Sequence, residues 1–299
     1  MNHTTIIAAG QLQTLMKNGQ PLRIFDCSFE LVQPHVGRQQ YLTSHIPGAI
    51  YADLETALSA RHGALGTHGV LTAAGADTPA SGGRHPLPNR ERFATWLSSV
   101  GMGNGMQAVV YDRSGGTFCS RLWWMLKWTG HDNVAVLDGG WQAWQAAGGA
   151  LSSGEEPAHF QTNFLPGPRM ACLVDAHTVA SQLSRPGQTL VDARAAARFR
   201  GETEPIDPVA GHIPGALSRP FTENLLPNGM FKPATQLETE FLAMLEGRDP
   251  SSVVHYCGSG VSALHNLIAM EIAGLGQTAL YAGSWSDWCR DPQRPVATI

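Results

Sequence analysis

The hexapeptide SHIPGA at residues 44–49 returns almost unchanged as GHIPGA at residues 211–216. An apolar run that ends in aspartate precedes each copy, RIFD at 23–26 and TLVD at 189–192. A motif that recurs in the same context at a long spacing indicates a duplicated folding unit. The sequence therefore predicts two similar domains rather than one large domain.

Two further pairs of segments follow the hexapeptide in the same order in both halves. VVYD at 109–112 corresponds to VVHY at 253–256, and GGWQAW at 139–144 corresponds to GSWSDW at 283–288. These pairs are 144 residues apart, whereas the two hexapeptides are 167 residues apart, so the first half carries an insertion. The segment 61–88, rich in glycine, alanine and proline, is the predicted place of that insertion and is expected to be a long loop.

Each half alternates short apolar strands with helices that end at glycine. Strands that are apolar along their whole length fit a mainly parallel sheet covered by helices on both faces. We therefore expect an α/β protein with two tandem domains, at residues 1–150 and 173–299, joined by a polar linker at 151–172. The segments 6–19 and 173–187 are predicted to be the first helix of each domain.

Composition excludes several classes of protein. The 299 residues, 43% of them hydrophobic and 15% charged, are typical of a compact globular chain, and a net charge of −4 does not favour a nucleic-acid or acidic-membrane partner. No apolar run approaches the roughly 20 residues that a membrane-spanning helix needs, and the first residues do not fit a secretory signal. The five cysteines include no C-x-x-C pair, which favours free thiols in the cytoplasm over disulfides or a zinc site.

The stretch HYCGSGVSA at 255–263 places Cys257 at the end of an apolar strand and directly before a glycine-rich turn. In a turn of this kind that leads into a helix, successive backbone N–H groups converge on one point, and the helix dipole adds to the positive field. A thiol at that point is stabilised as the thiolate, the form that acts as a nucleophile. We therefore predict that Cys257 is the reactive residue and that the turn also stabilises a persulfide on it.

The other residues of the cysteine turn are predicted to shape the substrate site. Gly258 and Gly260 permit backbone angles that other residues resist, and they keep the entrance open. The hydroxyl groups of Ser259 and Ser262 add hydrogen-bond donors, and Val261 belongs to the same substrate-lining turn.

The chain resembles the two-domain rhodanese family of sulfurtransferases over nearly its whole length. The likeness lies in both HIPGA turns, the cysteine turn after VVHY, the segment ARFRG at 197–201 and the closing WSDW at 285–288. The CGSGV form of the turn is similar to that of the 3-mercaptopyruvate sulfurtransferases within this family. The resemblance implies two tandem rhodanese-like domains, of which the second is catalytic and the first has lost its cysteine. Asp112 and Arg113 stand where the repeat places that cysteine.

The resemblance also assigns a role to an arginine outside the turn. Arg198 corresponds to the arginine that binds the substrate carboxylate, although its spacing alone equally fits an ion pair with Glu202 or Glu204. A second arginine is usual nine residues further on in the mercaptopyruvate enzymes. This chain has Asp207 there, an acid that is expected to repel a carboxylate substrate.

In the family, a histidine and an acid from the first domain form a triad with the serine of the cysteine turn. By motif, the members of this triad are Ser259, His85 in GGRHPLP and Glu55 in YADLE. A histidine in that place supplies the proton that the leaving enolate takes up to become pyruvate.

Together these observations predict an enzyme that transfers sulfur. Cys257 takes sulfane sulfur from 3-mercaptopyruvate, releases pyruvate and passes the outer sulfur of its persulfide to a thiol, a thioredoxin-like protein or cyanide, without a metal ion or an organic cofactor. Thiosulfate, which leaves as sulfite, is the alternative donor, but the uncharged turn offers this dianion no fixed cation. A rhodanese-type binding module without activity is a further alternative, against which the retained cysteine and glycines argue.

Overall fold

The computed structural model describes residues 2–60 and 78–299, and within these residues the chain forms two five-stranded sheets. The elements of the first domain are β1 (Ile6–Ile7), α1 (Ala9–Lys17), β2 (Leu22–Asp26), α2 (His35–Thr43), β3 (Ala49–Tyr51), α3 (Arg90–Ser99), β4 (Gln107–Tyr111), α4 (Cys119–Trp128), β5 (Val134–Leu137) and α5 (Gly140–Ala146). The elements of the second domain are β6 (Cys172–Val174), α6 (Ala176–Ser181), β7 (Thr189–Asp192), α7 (Ala196–Arg200), β8 (Leu217–Ser218), α8 (Ala234–Leu245), β9 (Val253–Tyr256), α9 (Ala263–Ile272), β10 (Ala279–Tyr281) and α10 (Ser284–Trp288).

The two sheets have the same topology. Their strand orders are β1-β5-β4-β2-β3 and β6-β10-β9-β7-β8, and every pair of neighbouring strands is parallel. The central strands β4 and β9 are buried along their whole length, as expected for a sheet that helices cover on both faces. The predicted α/β fold with a duplicated parallel sheet is confirmed.

The prediction of a helix at the start of each domain is only partly right. Ile6–Ile7 and Cys172–Val174 are short edge strands, which pair with β5 and β10, and each helix begins after its strand. In the second domain, the side chain of Asp175 accepts the N–H of Thr178 and so caps the helix at its N-terminus. Strands of two or three residues are too short to produce a hydrophobic period, so the sequence pattern merges them with the helix that follows.

Among the residues that the structure describes, the core consists of three apolar clusters, one of which both domains share. In β4, Val109 faces a cluster that belongs to the first domain, whereas Val110 faces the shared cluster, as the alternation of side chains along a strand requires. The shared cluster also contains Val253 and Leu280 from the second sheet. Helix α4, buried at every residue, packs against α9 in this cluster. The continuous core fixes the two domains against each other and forms the walls of a pocket between them.

Both HIPGA turns are held by the same backbone contact. The N–H of His45 donates to the carbonyl of Ser152, and the N–H of His212 donates to the carbonyl of Ala297, at 2.9 and 2.8 Å. Each imidazole is buried and stacks on an aromatic ring. These histidines therefore close each domain by packing its C-terminal segment against its sheet.

The predicted insertion at 61–88 lies partly outside the described residues, since these end at 60 and resume at 78. Residues 78–88 form no helix or strand and run along the second domain, where the N–H of Arg84 donates to the hydroxyl of Ser286 at 2.9 Å. No helix in the described part of the chain has the length and apolar character needed to cross a bilayer.

Candidate active site

Cys257 lies on the floor of a pocket of about 270 Å³ between the two domains. It follows the last residue of β9, and its side chain is 1% exposed. The hydroxyl of Ser284 accepts the N–H of Cys257 at 3.1 Å, and the Cys257 carbonyl accepts the N–H of Trp285 at 3.0 Å. Ser284 has a φ of 56°, a conformation that strains a non-glycine residue, so the segment after β10 is held in an unfavourable geometry while it fixes the cysteine.

The turn after Cys257 has the form of an anion site. Within the described part of the chain, the backbone N–H groups of residues 258–263 donate to no other group. Gly260 has a φ of 73°, and a Cβ there would lie 2.2 Å from the carbonyl oxygen of Ala282, so only glycine fits. Val261 and Ser262 line the pocket beside the cysteine, where the sequence predicted them.

Ser259 and His85 meet across the domain interface. The Nδ1 of His85 and the hydroxyl of Ser259 are hydrogen-bonded at 2.8 Å, and both side chains are buried. His85 also contacts the ring of Phe29 edge-on. The structure therefore brings together two of the three residues that the resemblance grouped as a triad.

Glu55 does not join this pair. Its side chain is exposed, and its backbone N–H donates to the Asp53 carboxylate, which caps the local turn. Among the described residues, Glu55 makes no hydrogen bond with His85. The motif YADLE selected Glu55 as the acid of the triad, but the local turn directs this side chain to solvent.

Arg84 from the first domain and Arg198 from the second line the pocket next to the cysteine turn, and Arg194 also lines it. Arg198 makes a forked ion pair with Glu204, at 3.1 Å from Nε and 2.7 Å from Nη2. Asp207 lies between the arginines, with Oδ2 at 3.2 Å from Arg198 Nη2 and Oδ1 at 2.7 Å from Arg84 Nη1. The sequence left two alternatives for Arg198, an ion pair with a nearby glutamate or a place at the substrate pocket. In the structure, Arg198 does both. Asp207 is not an isolated negative charge, because it is neutralised by both arginines.

Arg121, in α4, is a residue that sequence reasoning missed. Its guanidinium is fully buried and donates to the backbone carbonyls of Leu58, His85 and Gly260, at 3.3, 2.9 and 2.9 Å. Burial lowers the pKa of this guanidinium to about 9, whereas the charge of Cys257 acts to raise it. An arginine in a mainly apolar helix was the available signal, since such a residue is buried only with partners.

The first domain contains the same turn, but a carboxylate fills it. Asp112 follows Tyr111 as Cys257 follows Tyr256, and each tyrosine hydroxyl accepts an N–H from the HIPGA turn of its own domain, at 3.1 and 3.2 Å. The Asp112 carboxylate accepts four backbone N–H groups at 2.8–2.9 Å. These belong to Ser114, Gly116, Phe118 and Cys119.

Tandem parallel sheets, with one anion-binding turn occupied by a carboxylate and the other by a cysteine, define a duplicated α/β protein with a single thiol site. The family described as Rhodanese-like domain matches residues 8–147 and 175–291. The chain therefore belongs to the rhodanese family, as its motifs predicted.

The comparisons with known proteins match this chain along nearly its whole length. The chain is 46% identical over 304 residues to a Pseudomonas aeruginosa protein named probable 3-mercaptopyruvate sulfurtransferase, across 100% of this chain and 99% of the relative. It is 36% identical to the putative thiosulfate sulfurtransferase SseB of Mycobacterium tuberculosis, across 97% and 96%. The solved 3-mercaptopyruvate sulfurtransferase from Leishmania major is 29% identical with a TM-score of 0.78, across 98% of this chain and 76% of that chain.

Proposed function

We propose that this protein is a sulfurtransferase that moves sulfane sulfur from 3-mercaptopyruvate, through a persulfide on Cys257, to a thiol, a thioredoxin-like protein or cyanide. The observation that carries the proposal is the position of Cys257 at the start of a turn with unbonded backbone N–H groups, within the described residues, and in the same pocket as Arg198. The full-length likeness to a relative named for 3-mercaptopyruvate supports this donor.

In the first half of the reaction, the Cys257 thiolate attacks the sulfur of the donor. An S–S bond forms while the C–S bond breaks, and the electron pair of the C–S bond passes to carbon as the enolate of pyruvate. The enolate then takes up one proton, so that thiolate, mercaptopyruvate and a proton give a persulfide and pyruvate. We assign the relay of this proton to Ser259 and His85, which are hydrogen-bonded to each other and both line the pocket.

In the second half, a thiolate or cyanide attacks the outer sulfur of the persulfide. The S–S bond breaks, and its electron pair returns to Cys257 as the thiolate, so the sulfur is transferred without an external oxidant or reductant. The N–H groups of the turn stabilise the sulfur anion in both halves. All five cysteines are free thiols, which supports a reducing compartment, and we place the reaction in the cytoplasm.

Thiosulfate is the second candidate donor, and one feature of the pocket favours it. Arg84 and Arg198 supply the fixed cations that the uncharged cysteine turn lacks, so the pocket can accommodate a dianion better than the sequence indicated. A relative that is 36% identical is named as a putative thiosulfate sulfurtransferase.

Mass spectrometry of the intact protein tests the persulfide directly. After incubation with 3-mercaptopyruvate and no acceptor, we expect a mass gain of one sulfur atom and release of an equal amount of pyruvate. Cys257→Ser is expected to abolish both, whereas Cys172→Ser, at an exposed thiol, serves as the control and is expected to leave both unchanged. A protein that gains no sulfur from either donor would be a binding module.

Steady-state kinetics with cyanide as acceptor then decides between the donors. We expect kcat/KM to be higher for 3-mercaptopyruvate than for thiosulfate. Equal values of kcat/KM, or a higher value for thiosulfate, would identify thiosulfate as the donor.

A further inference from the structure

In the first domain, a guanidinium group is held at the end of strand β2. Arg113 Nη1 donates to the carboxylate of Asp26, the last residue of β2, at 2.9 Å, and Arg113 Nη2 donates to the carbonyl of Ser44. The guanidinium carbon lies 4.5 Å from the ring centre of Trp141. A carboxylate, a carbonyl and an aromatic ring thus surround one cation, and we call this arrangement the guanidinium cage.

The second domain has the same guanidinium cage. Arg194 Nη2 donates to the carboxylate of Asp192, the last residue of β7, at 2.6 Å and to the carbonyl of Gly211 at 2.7 Å. The guanidinium carbon of Arg194 lies 4.7 Å from the ring centre of Trp285. Gly211 and Ser44 directly precede the two HIPGA histidines, and both tryptophans end the repeated GGW and GSW segments. The two cages are therefore equivalent.

The two arginines that fill the cages come from different positions of the repeat. Arg113 stands at the position of Gly258, directly after the residue that the turn surrounds, whereas Arg194 stands at the position of Ser28, two residues after the strand aspartate. The backbone N–H groups of Ser28 and Arg194 each donate to that aspartate, at 2.8 and 2.9 Å, which supports this alignment. The duplicated fold thus keeps the cation but supplies it from a different segment in each domain.

This exchange affects the space next to the reactive thiol. Gly258 does not have the left-handed φ that favours glycine, so its backbone does not require a glycine. What glycine provides is space, since a Cβ there would lie 3.3 Å from Arg84 Nη2. Gly258 and Arg194 both line the pocket of Cys257. A side chain that ran from position 258 to the guanidinium cage, as the arginine of the first domain does, would therefore cross this pocket.

We propose that Arg194 is a positioning residue that fills the guanidinium cage from outside the cysteine turn, so that Gly258 can leave Cys257 open to donor and acceptor. The caged guanidinium also packs against Trp285, whose N–H donates to the Cys257 carbonyl at 3.0 Å, and it thereby supports the cysteine turn. The inference rests on the proposed function only in taking Cys257 as the reacting thiol.

The test moves the arginine of the second domain to its position in the first domain. Arg194→Ser leaves the buried Asp192 carboxylate without this cation, so we expect the Tm to fall by about 10 °C. Adding Gly258→Arg refills the cage, and the Tm should return to within about 3 °C of the parent. Alkylation of Cys257 by iodoacetamide should nevertheless be about 10- to 100-fold slower in this double variant than in the parent, because the added side chain crosses the pocket.

The double variant separates access from charge. It has the same number of arginines as the parent and places the cation in the same cage, so a slower alkylation reports the obstructed approach to Cys257. A purely structural role of Arg194 would predict that the Tm and the alkylation rate recover together. If Arg194→Ser does not fold, the yield of folded double variant replaces the Tm difference as the measure of rescue.

The first domain provides the matched control. Arg113→Gly should lower the Tm by a similar amount, and the addition of Ser28→Arg should restore it, because this pair copies the arrangement of the second domain. Neither variant is expected to change the alkylation rate of Cys257 by more than about twofold, since Arg113 and Ser28 do not line its pocket.

The possible outcomes are distinct. If Arg194→Ser combined with Gly258→Arg recovers both the Tm and the alkylation rate of Cys257, Gly258 is not needed for access and the proposal is wrong. If Gly258→Arg fails to restore the Tm, the two arginines do not fill equivalent cages. Iodoacetamide requires no sulfur donor, so a protein that takes sulfur from neither 3-mercaptopyruvate nor thiosulfate would defeat the proposed function and leave the alkylation comparison valid.

Discussion

Asp112 occupies in the first domain the position that Cys257 occupies in the second. Both residues follow the central strand, and their carbonyls accept the N–H of equivalent tryptophans, Trp141 and Trp285, at 3.0 Å in each case. The carboxylate of Asp112 accepts hydrogen bonds from four backbone N–H groups of its turn. The turn of the first domain therefore binds an anion. This anion is a side chain of the protein itself, the Asp112 carboxylate.

Replacing the carboxylate of Asp112 is expected to destabilise the fold. Asp112→Asn keeps the size but removes the charge and turns an amide N–H₂ toward backbone donors, so the free energy of unfolding should fall by about 2–4 kcal/mol. Urea denaturation measures the change. Asp132→Asn, at a half-exposed ion pair with Lys127, is the control and should change stability by less than about 1 kcal/mol. Equal effects of the two variants would mean that the four hydrogen bonds contribute nothing beyond a surface pair.

The pair of Ser259 and His85 is expected to act as a unit in donor cleavage. Ser259→Ala and His85→Ala should each reduce pyruvate release in a single turnover by about 100-fold, the usual contribution of a positioned proton donor. The double variant should be little worse than either single variant, because each change alone breaks the relay. Additive losses would indicate that the two side chains act separately.

Glu55 provides the control for the relay. Because its side chain is exposed and does not contact His85, Glu55→Gln is expected to change single-turnover pyruvate release by less than about twofold. If Glu55→Gln reduces pyruvate release as much as His85→Ala does, Glu55 takes part in the proton relay.

The parts of the site that could be predicted from the sequence are those formed by short, continuous segments. The cysteine turn, its glycines and the repeated HIPGA motif lie in short continuous segments, and the duplication fixed their order. The places of Arg84 and Arg121 in the site were not predicted, because their partners lie in the other domain or far along the chain. Arg84 directly precedes His85, the predicted relay histidine. This neighbour in sequence was the available indication that Arg84 lies at the site. The neutralisation of Asp207 by two arginines depends on where Arg84 lies, which no spacing within the second domain can show.

Arg121 is expected to influence Cys257 from the non-catalytic domain. Arg121→Met removes a buried cation and leaves the carbonyls of His85 and Gly260 without their donor. We expect alkylation of Cys257 by iodoacetamide at neutral pH to become about tenfold slower, the order of a single charge interaction in a partly buried site.

Arg121→Lys distinguishes charge from geometry, since lysine keeps the cation but cannot span all of these carbonyls. Arg121→Lys should retain most of the alkylation rate of Cys257 while it loses sulfur-transfer activity. Thermal unfolding monitored in parallel verifies that each variant is folded. An unchanged alkylation rate of Cys257 in folded Arg121→Met would restrict Arg121 to a packing role.

Two buried histidines are expected to make the fold sensitive to acid. Burial lowers the pKa of His255 to about 3 and that of His265 to about 4, from 6.5 in an exposed histidine. The folded state therefore keeps both rings neutral where the unfolded chain binds protons. Their contribution is fully present above about pH 6.5 and is lost as the pH falls toward 4, at up to about 1.4 kcal/mol per pH unit for each histidine.

His255→Leu isolates one of these contributions. The Nδ1 of His255 is buried without a hydrogen-bond partner among the described residues, so leucine can replace the ring without leaving a polar group unpaired. Urea midpoints measured between pH 7.5 and pH 4.5 should decline less steeply in this variant than in the parent, whereas His177→Asn, at an exposed histidine, should reproduce the slope of the parent. If His255→Leu and the parent lose stability in parallel, the ring of His255 is not held neutral by burial, and the acid sensitivity must come from other groups.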